Sequence, residues 1–364
     1  MPYQVLVVDD SQFFQNRLTD IINEHPDLNV IGVASNGREA VEKAAELRPD
    51  IISMDYEMPV LNGVSAIREI MEHRPVPILM FSSMTYEGAR ITLDSLEAGA
   101  LDFIPKDFAE VSNNAASLKK KLHGKLLDIV RSHPKFGAVR QSAEASPRLE
   151  PVKELDTRND VDAKEQDVDT STRNLKSKVS VLIIGASTGG PVALTEVLTK
   201  LPASFSLPIL LVQHMPENFT AAFAERLNKQ CNISVKEAEN GDQLRAGAAL
   251  LAPGGKQMML DTQNRGQIKI IPGDSRVTYR PSVDITFGSA ANVYADKVLG
   301  IVLTGMGSDG CEGARLLKNK GSTVWTQDEA SCVIYGMPMA VARANLSDKV
   351  LPLGKVGTTL ARAF

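Results

Sequence analysis

The chain carries one serine, one histidine and a few carboxylates placed where nucleophilic chemistry would need them. The run Val181-Leu182-Ile183-Ile184-Gly185-Ala186-Ser187-Thr188-Gly189-Gly190-Pro191 reads as an apolar strand, a glycine-rich turn and a helix start. Glycines permit a tight turn with positive φ. A serine at the start of the helix meets backbone amides that favour negative charge. Gly185-Ala186-Ser187-Thr188-Gly189 matches the G-x-S-x-G pattern of a serine nucleophile. A helix-capping serine and a phosphate loop are the alternatives. The run lacks the Lys-Ser/Thr pair of a P-loop, and Ser187 stands at the second glycine of the dinucleotide fingerprint. A serine nucleophile needs a base. Of five histidines (His25, His73, His123, His133, His214), only His214 lies in the second half, just after the apolar run 208–212. A third group must orient the imidazole. Asp309 is one candidate, in the glycine-rich segment Thr304-Gly305-Met306-Gly307-Ser308-Asp309-Gly310. Asp284, in Arg280-Pro281-Ser282-Val283-Asp284, is the other, and reads more readily as a helix-capping carboxylate. The order Ser, His, Asp departs from the Ser, Asp, His order of α/β-hydrolases.

A second constellation lies near the N-terminus. Asp9-Asp10, Asp55, Ser82-Ser83 and Lys106 each end or follow an apolar run. Singly, a carboxylate after a strand can merely cap the next helix. Jointly, three carboxylates, a hydroxyl and an ammonium suit Mg²⁺ and a phosphoryl group. Mg²⁺ takes few carboxylates plus water and phosphate oxygens, and lysine pairs with phosphate as a point charge.

Both groups of residues depend on strands that end along one edge. Strands are expected at 5–8, 30–34, 51–54, 78–81 and 102–104. In the second half they are expected at 179–184, 209–212, 249–252, 267–271, 298–303 and 322–326. Amphipathic stretches lie between them. Leu118, Leu122, Leu126 and Val130 recur every four residues, and Leu194, Val197, Leu198 and Leu201 share a face behind Pro191. Such alternation predicts two doubly wound, mainly parallel-sheet α/β domains, with ligands beyond the carboxyl ends of the strands. Between them, residues 132–178 show little apolar periodicity and much mixed charge. They read as a linker of more than 40 residues that cannot offset its ordering entropy by burial. The expected division is 1–131, linker 132–178, and 179–364.

Composition narrows the class. The 364 residues are 43% apolar and 23% charged, which is ordinary for a globular protein. A net charge of −4 argues against nucleic-acid binding. No apolar run approaches the ~18 residues of a membrane span. The start, Met1-Pro2-Tyr3-Gln4-Val5, lacks a signal-peptide pattern, so a cytoplasmic location is expected. Cys231, Cys311 and Cys332 are spaced for neither a disulfide framework nor zinc, and read as buried, unreactive thiols.

The N-terminal constellation, with Tyr56-Glu57-Met58-Pro59 after Asp55, resembles the response-regulator receiver domain over about residues 3–125. The resemblance implies that Asp55 accepts a phosphoryl group from a histidine kinase. It implies that Asp9, Asp10, Asp55 and the carbonyl of Glu57 hold Mg²⁺, that Ser82 is the switch hydroxyl and that Lys106 is the conserved-role lysine. Receivers usually place proline after that lysine; here Pro105 precedes it and Asp107 follows. Residues 185–190, Gln213-His214-Met215-Pro216, 280–284 and 304–310 resemble the chemotaxis protein-glutamate methylesterase family over about residues 179–357. This implies a triad of Ser187, His214 and Asp309, with the backbone amide of Met306 as oxyanion donor and no cofactor in that domain. It also implies methyl-ester hydrolysis and glutamine deamidation on the cytoplasmic domain of a chemoreceptor, controlled by the receiver. The competing reading is a receiver joined to a non-enzymatic nucleotide-binding or scaffolding module, supported by the glycine-rich loop alone.

Overall fold

The computed structural model describes residues 1–106, 115–132, 175, 177–264, 266–274 and 277–364. Most of the expected linker, together with Asp107 and His133, lies outside the described residues.

The first unit alternates β1 (Tyr3–Val8), α1 (Gln12–Asn23), β2 (Leu28–Ala34), α2 (Gly37–Leu47), β3 (Ile51–Asp55), α3 (Gly63–His73), β4 (Ile78–Ser82), α4 (Tyr86–Glu97), β5 (Asp102–Pro105) and α5 (Ala115–Ser132). The strands form one sheet in the order β2-β1-β3-β4-β5, with every pairing parallel. Helices cover both faces, so the central strands are continuous apolar runs rather than alternating ones. The four-residue leucine spacing of α5 buries Leu118, Leu122, Leu126 and Val130 against the Val5–Val7 side of the sheet. Strand order reverses between β1 and β3, which opens a crevice at their carboxyl ends. Asp9-Asp10 and Asp55 stand there.

The second unit contains β6 (Val181–Ala186), α6 (Gly190–Leu198), β7 (Ile209–Gln213), α7 (Glu217–Gln230), β8 (Ser234–Glu237), β9 (Ala248–Leu251), β10 (Lys256–Leu260), β11 (Ile268–Pro272), α8 (Val283–Tyr294), β12 (Val298–Val302), α9 (Cys311–Asn319), β13 (Thr323–Gln327), α10 (Met337–Arg343), β14 (Lys349–Leu351) and α11 (Leu353–Ala363). Seven strands pair in parallel in the order β14-β13-β12-β6-β7-β9-β8. The strand expected at 267–271 exists as β11, but it pairs antiparallel with β10 in a separate hairpin. The edge strands β8 and β14 escape a periodicity reading because Ser234-Val235-Lys236-Glu237 is mostly polar and Lys349–Leu351 is only 3 residues long. From β6 the sheet runs through β7 on one side and β12 on the other. Those three neighbours carry Ser187, His214 and the 304–310 loop at their carboxyl ends.

The two units share packed surfaces. Phe103 of β5 stacks on Phe219 of α7, with centroids 4.6 Å apart and planes 8° apart. Arg226 of α7 pairs with Asp94 and Glu97 of α4, and Asn218 donates to the carbonyl of Met84 at 2.7 Å. Met306, Val333 and Ile334 of the second unit join the apolar cluster of Phe14, Leu118 and Leu122 in the first.

Gly185 lies in β6 where a Cβ would come within 2.6 Å of both Val283 methyl groups. Gly185→Ala is expected to destabilise the second unit by about 1–3 kcal/mol through overpacking, read as a lowered urea midpoint at unchanged slope.

Candidate active site

Backbone pairing brings the three strand ends together. The amide of Ser187 donates to Thr304 O at 3.0 Å, and that of His214 donates to Ala186 O at 3.1 Å. Buried Gln213 braces the turn from below, with Nε2 2.9 Å from Ser187 O. Gly189, at φ 75°, starts α6. A Cβ there would strike Val333, and one on Gly190 would lie 2.0 Å from Gln213 Oε1. Both positions are thus closed to any side chain larger than glycine's hydrogen.

His214 Nε2 lies 2.7 Å from Asp309 Oδ2. That bond makes Nε2 the protonated nitrogen and leaves the lone pair on Nδ1. Nδ1 is buried without a hydrogen-bond partner among the described residues. No hydrogen bond joins it to Ser187 Oγ, a looseness common before substrate binds. The imidazole plane lies against Tyr279, with centroids 4.1 Å apart and planes 8° apart.

Asp309 is held by the first turn of α8. Its Oδ2 also accepts from Val283 N at 2.7 Å, and its Oδ1 accepts from Ser282 Oγ at 2.8 Å and Asp284 N at 3.1 Å. Burial works to raise its pKa, but the hydrogen bond and charge of His214 and the two amides outweigh it. The carboxyl sits below its ordinary value. Asp284, the competing third member, caps a different helix from the one its position suggests. It lies in the first turn of α8, but its Oδ1 accepts from Gly310 N at 2.9 Å and Gly313 N at the start of α9. Burial and the neighbouring Asp309 charge push it up to about 6 despite those amides. The partner of the imidazole is thus Asp309.

The 304–310 loop passes close to the serine. A Cβ on Gly305 would lie 2.8 Å from Ser187 Cβ. Among the described residues the Met306 amide has no acceptor. Gly307, at φ 86°, turns the chain under the Tyr279 hydroxyl.

In the first unit, oxygens of Asp9, Asp10 and Asp55 lie within 4.8 Å of one another. Lys106 Nζ is 2.8 Å from both Asp9 Oδ2 and Asp55 Oδ2. Burial is the largest influence on Asp55; Lys106 opposes it and Asp9 reinforces it, and the carboxyl is pushed up to about 6. Glu57 lines the same cleft as Asp10, Asp55 and Lys106. Ser82 Oγ turns away from that cleft and bonds Gly88 O at 3.2 Å and Thr92 Oγ1 of α4.

Three contributors were hidden from a sequence reading. Tyr279 and Gln257 carry no motif. Thr188 Oγ1 donates to Asp102 Oδ2 of β5 at 2.6 Å, across the unit boundary, and Lys125 pairs with the same carboxylate. The described histidines other than His214 all belong to the first unit. The three cysteines are free but half-buried rather than buried as expected, since Cys231 and Cys311 lie at the margins of their cores; desolvation still pushes Cys231 up to about 11 and Cys332 to about 12.

Comparison with known proteins follows the same division. The family profile described as CheB methylesterase matches residues 182–360, and that of the response regulator receiver domain matches 5–116. A protein-glutamate methylesterase/protein-glutamine glutaminase of Saccharophagus degradans is 56% identical over 98% of each chain. One of Pseudomonas putida is 54% identical over the whole of both. The crystal structure of the Thermotoga maritima CheB methylesterase catalytic domain is 39% identical, covering 51% of this chain and 99% of that one, at a TM-score of 0.49. No helix among the described residues is long and apolar enough to cross a membrane.

The exchange of capping roles between Asp309 and Asp284 separates their expected phenotypes. Asp309→Asn should slow labelling of Ser187 by an organophosphonate roughly ten-thousandfold, whereas Asp284→Asn, which keeps an acceptor oxygen, should slow it far less. Labelling rates of the two variants check this directly.

Proposed function

This chain belongs to the CheB methylesterase family and carries a response regulator receiver domain, and we propose that the receiver controls a Ser187–His214–Asp309 hydrolase acting on chemoreceptors. It is a protein-glutamate methylesterase/protein-glutamine glutaminase. The observation that carries the triad reading is the meeting of the three residues at the ends of adjacent parallel strands, with His214 bonded to a fully satisfied carboxylate.

Ser187 Oγ attacks the carbonyl carbon of a γ-glutamyl methyl ester while His214 Nδ1 takes its proton. The imidazolium so formed is stabilised by Asp309, which His214 itself and the amides of Val283 and Asp284 keep ionised. The developing oxyanion is met by the Met306 amide; losing one such donor typically costs roughly 100- to 1,000-fold. His214 then returns the proton to the leaving methoxide. Water, deprotonated by the same base, attacks the acyl-enzyme and frees the glutamate side chain and Ser187. With a glutamine side chain, ammonia leaves instead of methanol.

In the receiver, Asp55 is the phosphoryl acceptor and a histidine kinase the donor. Asp9, Asp10, Asp55 and the Glu57 carbonyl would hold Mg²⁺, a fit supported by clustered hard carboxylate oxygens beside a neutralising lysine. Bound there, Mg²⁺ would offset charge on the phosphoryl oxygens. Control follows from what the receiver covers. Its α4, β5 and α5 pack over α6, α7 and the Met306–Ile334 side of the site. Thr188, adjacent to the nucleophile, is bonded to Asp102. Ser82 braces α4 through Gly88 and Thr92. A phosphoryl group on Asp55 competes for that hydroxyl, which loosens α4 and its grip on α7.

Three outcomes are expected. Ser187→Ala abolishes methanol release from methylated receptor membranes while Asp55 still accepts phosphate from a phosphodonor; surviving release would sink the triad. Asp102→Ala raises the unphosphorylated rate several-fold, up to about tenfold for one buried charged hydrogen bond; an unchanged rate would argue against the latch. Mg²⁺ affinity, measured by calorimetry, weakens as pH falls below about 6, because Asp55 then takes up a proton. The same raised pKa means that this site's contribution to folding is most favourable below the unfolded carboxyl value and is lost as pH rises through about 6.

A further inference from the structure

We infer that Tyr279 is a positioning residue for His214, holding the imidazole plane and stabilising its protonated form through the face of its ring. This rests on the reading of His214 as the base. A hydrogen bond from Nε2 to Asp309 fixes one atom of the ring but leaves the plane free to swing about that point. Nδ1, the atom that must face Ser187, has no partner among the described residues to stop the swing. The parallel ring of Tyr279, 4.1 Å away at 8°, supplies the missing constraint.

Tyr279 is itself held firmly. Gln257, in β10 and 2% exposed, donates from Nε2 to Tyr279 O at 2.7 Å and accepts from Ser282 N at 2.8 Å. One buried amide therefore spans residues 279–282. At one end of that span is the ring on the face of the imidazole. At the other is Ser282, whose hydroxyl bonds Asp309 at the imidazole's edge. Face and edge partners of His214 thus share a single support. The Tyr279 hydroxyl reaches Gly307, where a Cβ would come within 2.6 Å, and so packs beside the loop that carries Met306. Burial first, then the Asp309 and Asp128 charges, raise the phenol pKa. The hydroxyl is neutral at working pH, and the π face rather than a phenolate meets the imidazole.

The energetic point is differential. A neutral imidazole on an aromatic face gains dispersion and stacking. An imidazolium also gains attraction to the ring quadrupole. That extra attraction exists only once Ser187 has lost its proton, so it favours the transition state over the ground state.

The test is steady-state methanol release by the full chain from methylated receptor membranes, comparing Tyr279→Phe, Tyr279→Leu and His214→Gln. Phenylalanine should stay within about twofold of the unaltered enzyme. Leucine, which keeps apolar bulk but has no π face, should lower kcat roughly 3- to 30-fold with KM within about twofold. Leucine as active as phenylalanine would overturn the proposal, since packing alone would then suffice. It would equally fall if phenylalanine lost as much as leucine, or if leucine raised KM at constant kcat. An active His214→Gln would bring down the triad itself, whereas an inactive one beside a fully active Tyr279→Leu removes only this inference. Tyr279→Met takes the place of the leucine variant should that fail to fold.

Discussion

Two aspartates each cap the helix that the other precedes or begins. Asp309, just ahead of α9, accepts from the amides and the serine hydroxyl at the start of α8, and Asp284, inside the first turn of α8, accepts from the amides at the start of α9. A helix N-terminus presents unpaired donors and a positive dipole end, so each carboxylate is satisfied by a neighbour rather than by water. The arrangement keeps Asp309 ionised despite its burial and fixes where its oxygens stand. His214 can be placed only because Asp309 is placed first. The loop from Thr304 to Gly310 is pinned by the same exchange, so the expected oxyanion donor is located by the interaction that locates the acid.

That dependence explains which parts of the molecule were legible from the residues alone. The parallel strands announce themselves as apolar runs because both faces are covered, and the strand-end positions of Asp9, Asp55, Ser187 and His214 follow from that pattern. Hydrophobic periodicity says nothing about which of two aspartates bonds an imidazole 95 residues away. A capping role for Asp284 could be read locally, but the helix it caps could not, because that depends on α8 and α9 lying side by side. Tyr279 and Gln257 were invisible for a related reason: their roles come from the hairpin β10–β11 and the segment after it, where no catalytic spacing exists. Strand β11 was expected, but its antiparallel partner β10 was not, since an apolar run carries no information about the direction of its partner.

The receiver and the hydrolase are joined by chemistry of two kinds. Aromatic stacking of Phe103 on Phe219 and the apolar cluster around Met306 and Ile334 supply area without direction. The ion pairs of Arg226 and the bond from Thr188 to Asp102 supply register. The apolar part tolerates small shifts, whereas a buried bond to a carboxylate does not. A modest displacement of β5 or α4 would therefore be felt first at Thr188, one residue from Ser187.

The parallel connectivity around β6 also has a consequence for biogenesis. The Thr304 hydroxyl that bonds Thr188 O belongs to a residue synthesised 116 positions later, and β12 lies on the far side of β6 from β7. A growing chain holds Ser187 and His214 before Asp309 and the 304–310 loop have been made. Pairings of such long sequence separation form slowly. The receiver, complete by Ser132, can fold ahead of them and stand ready before the hydrolase beneath it has assembled.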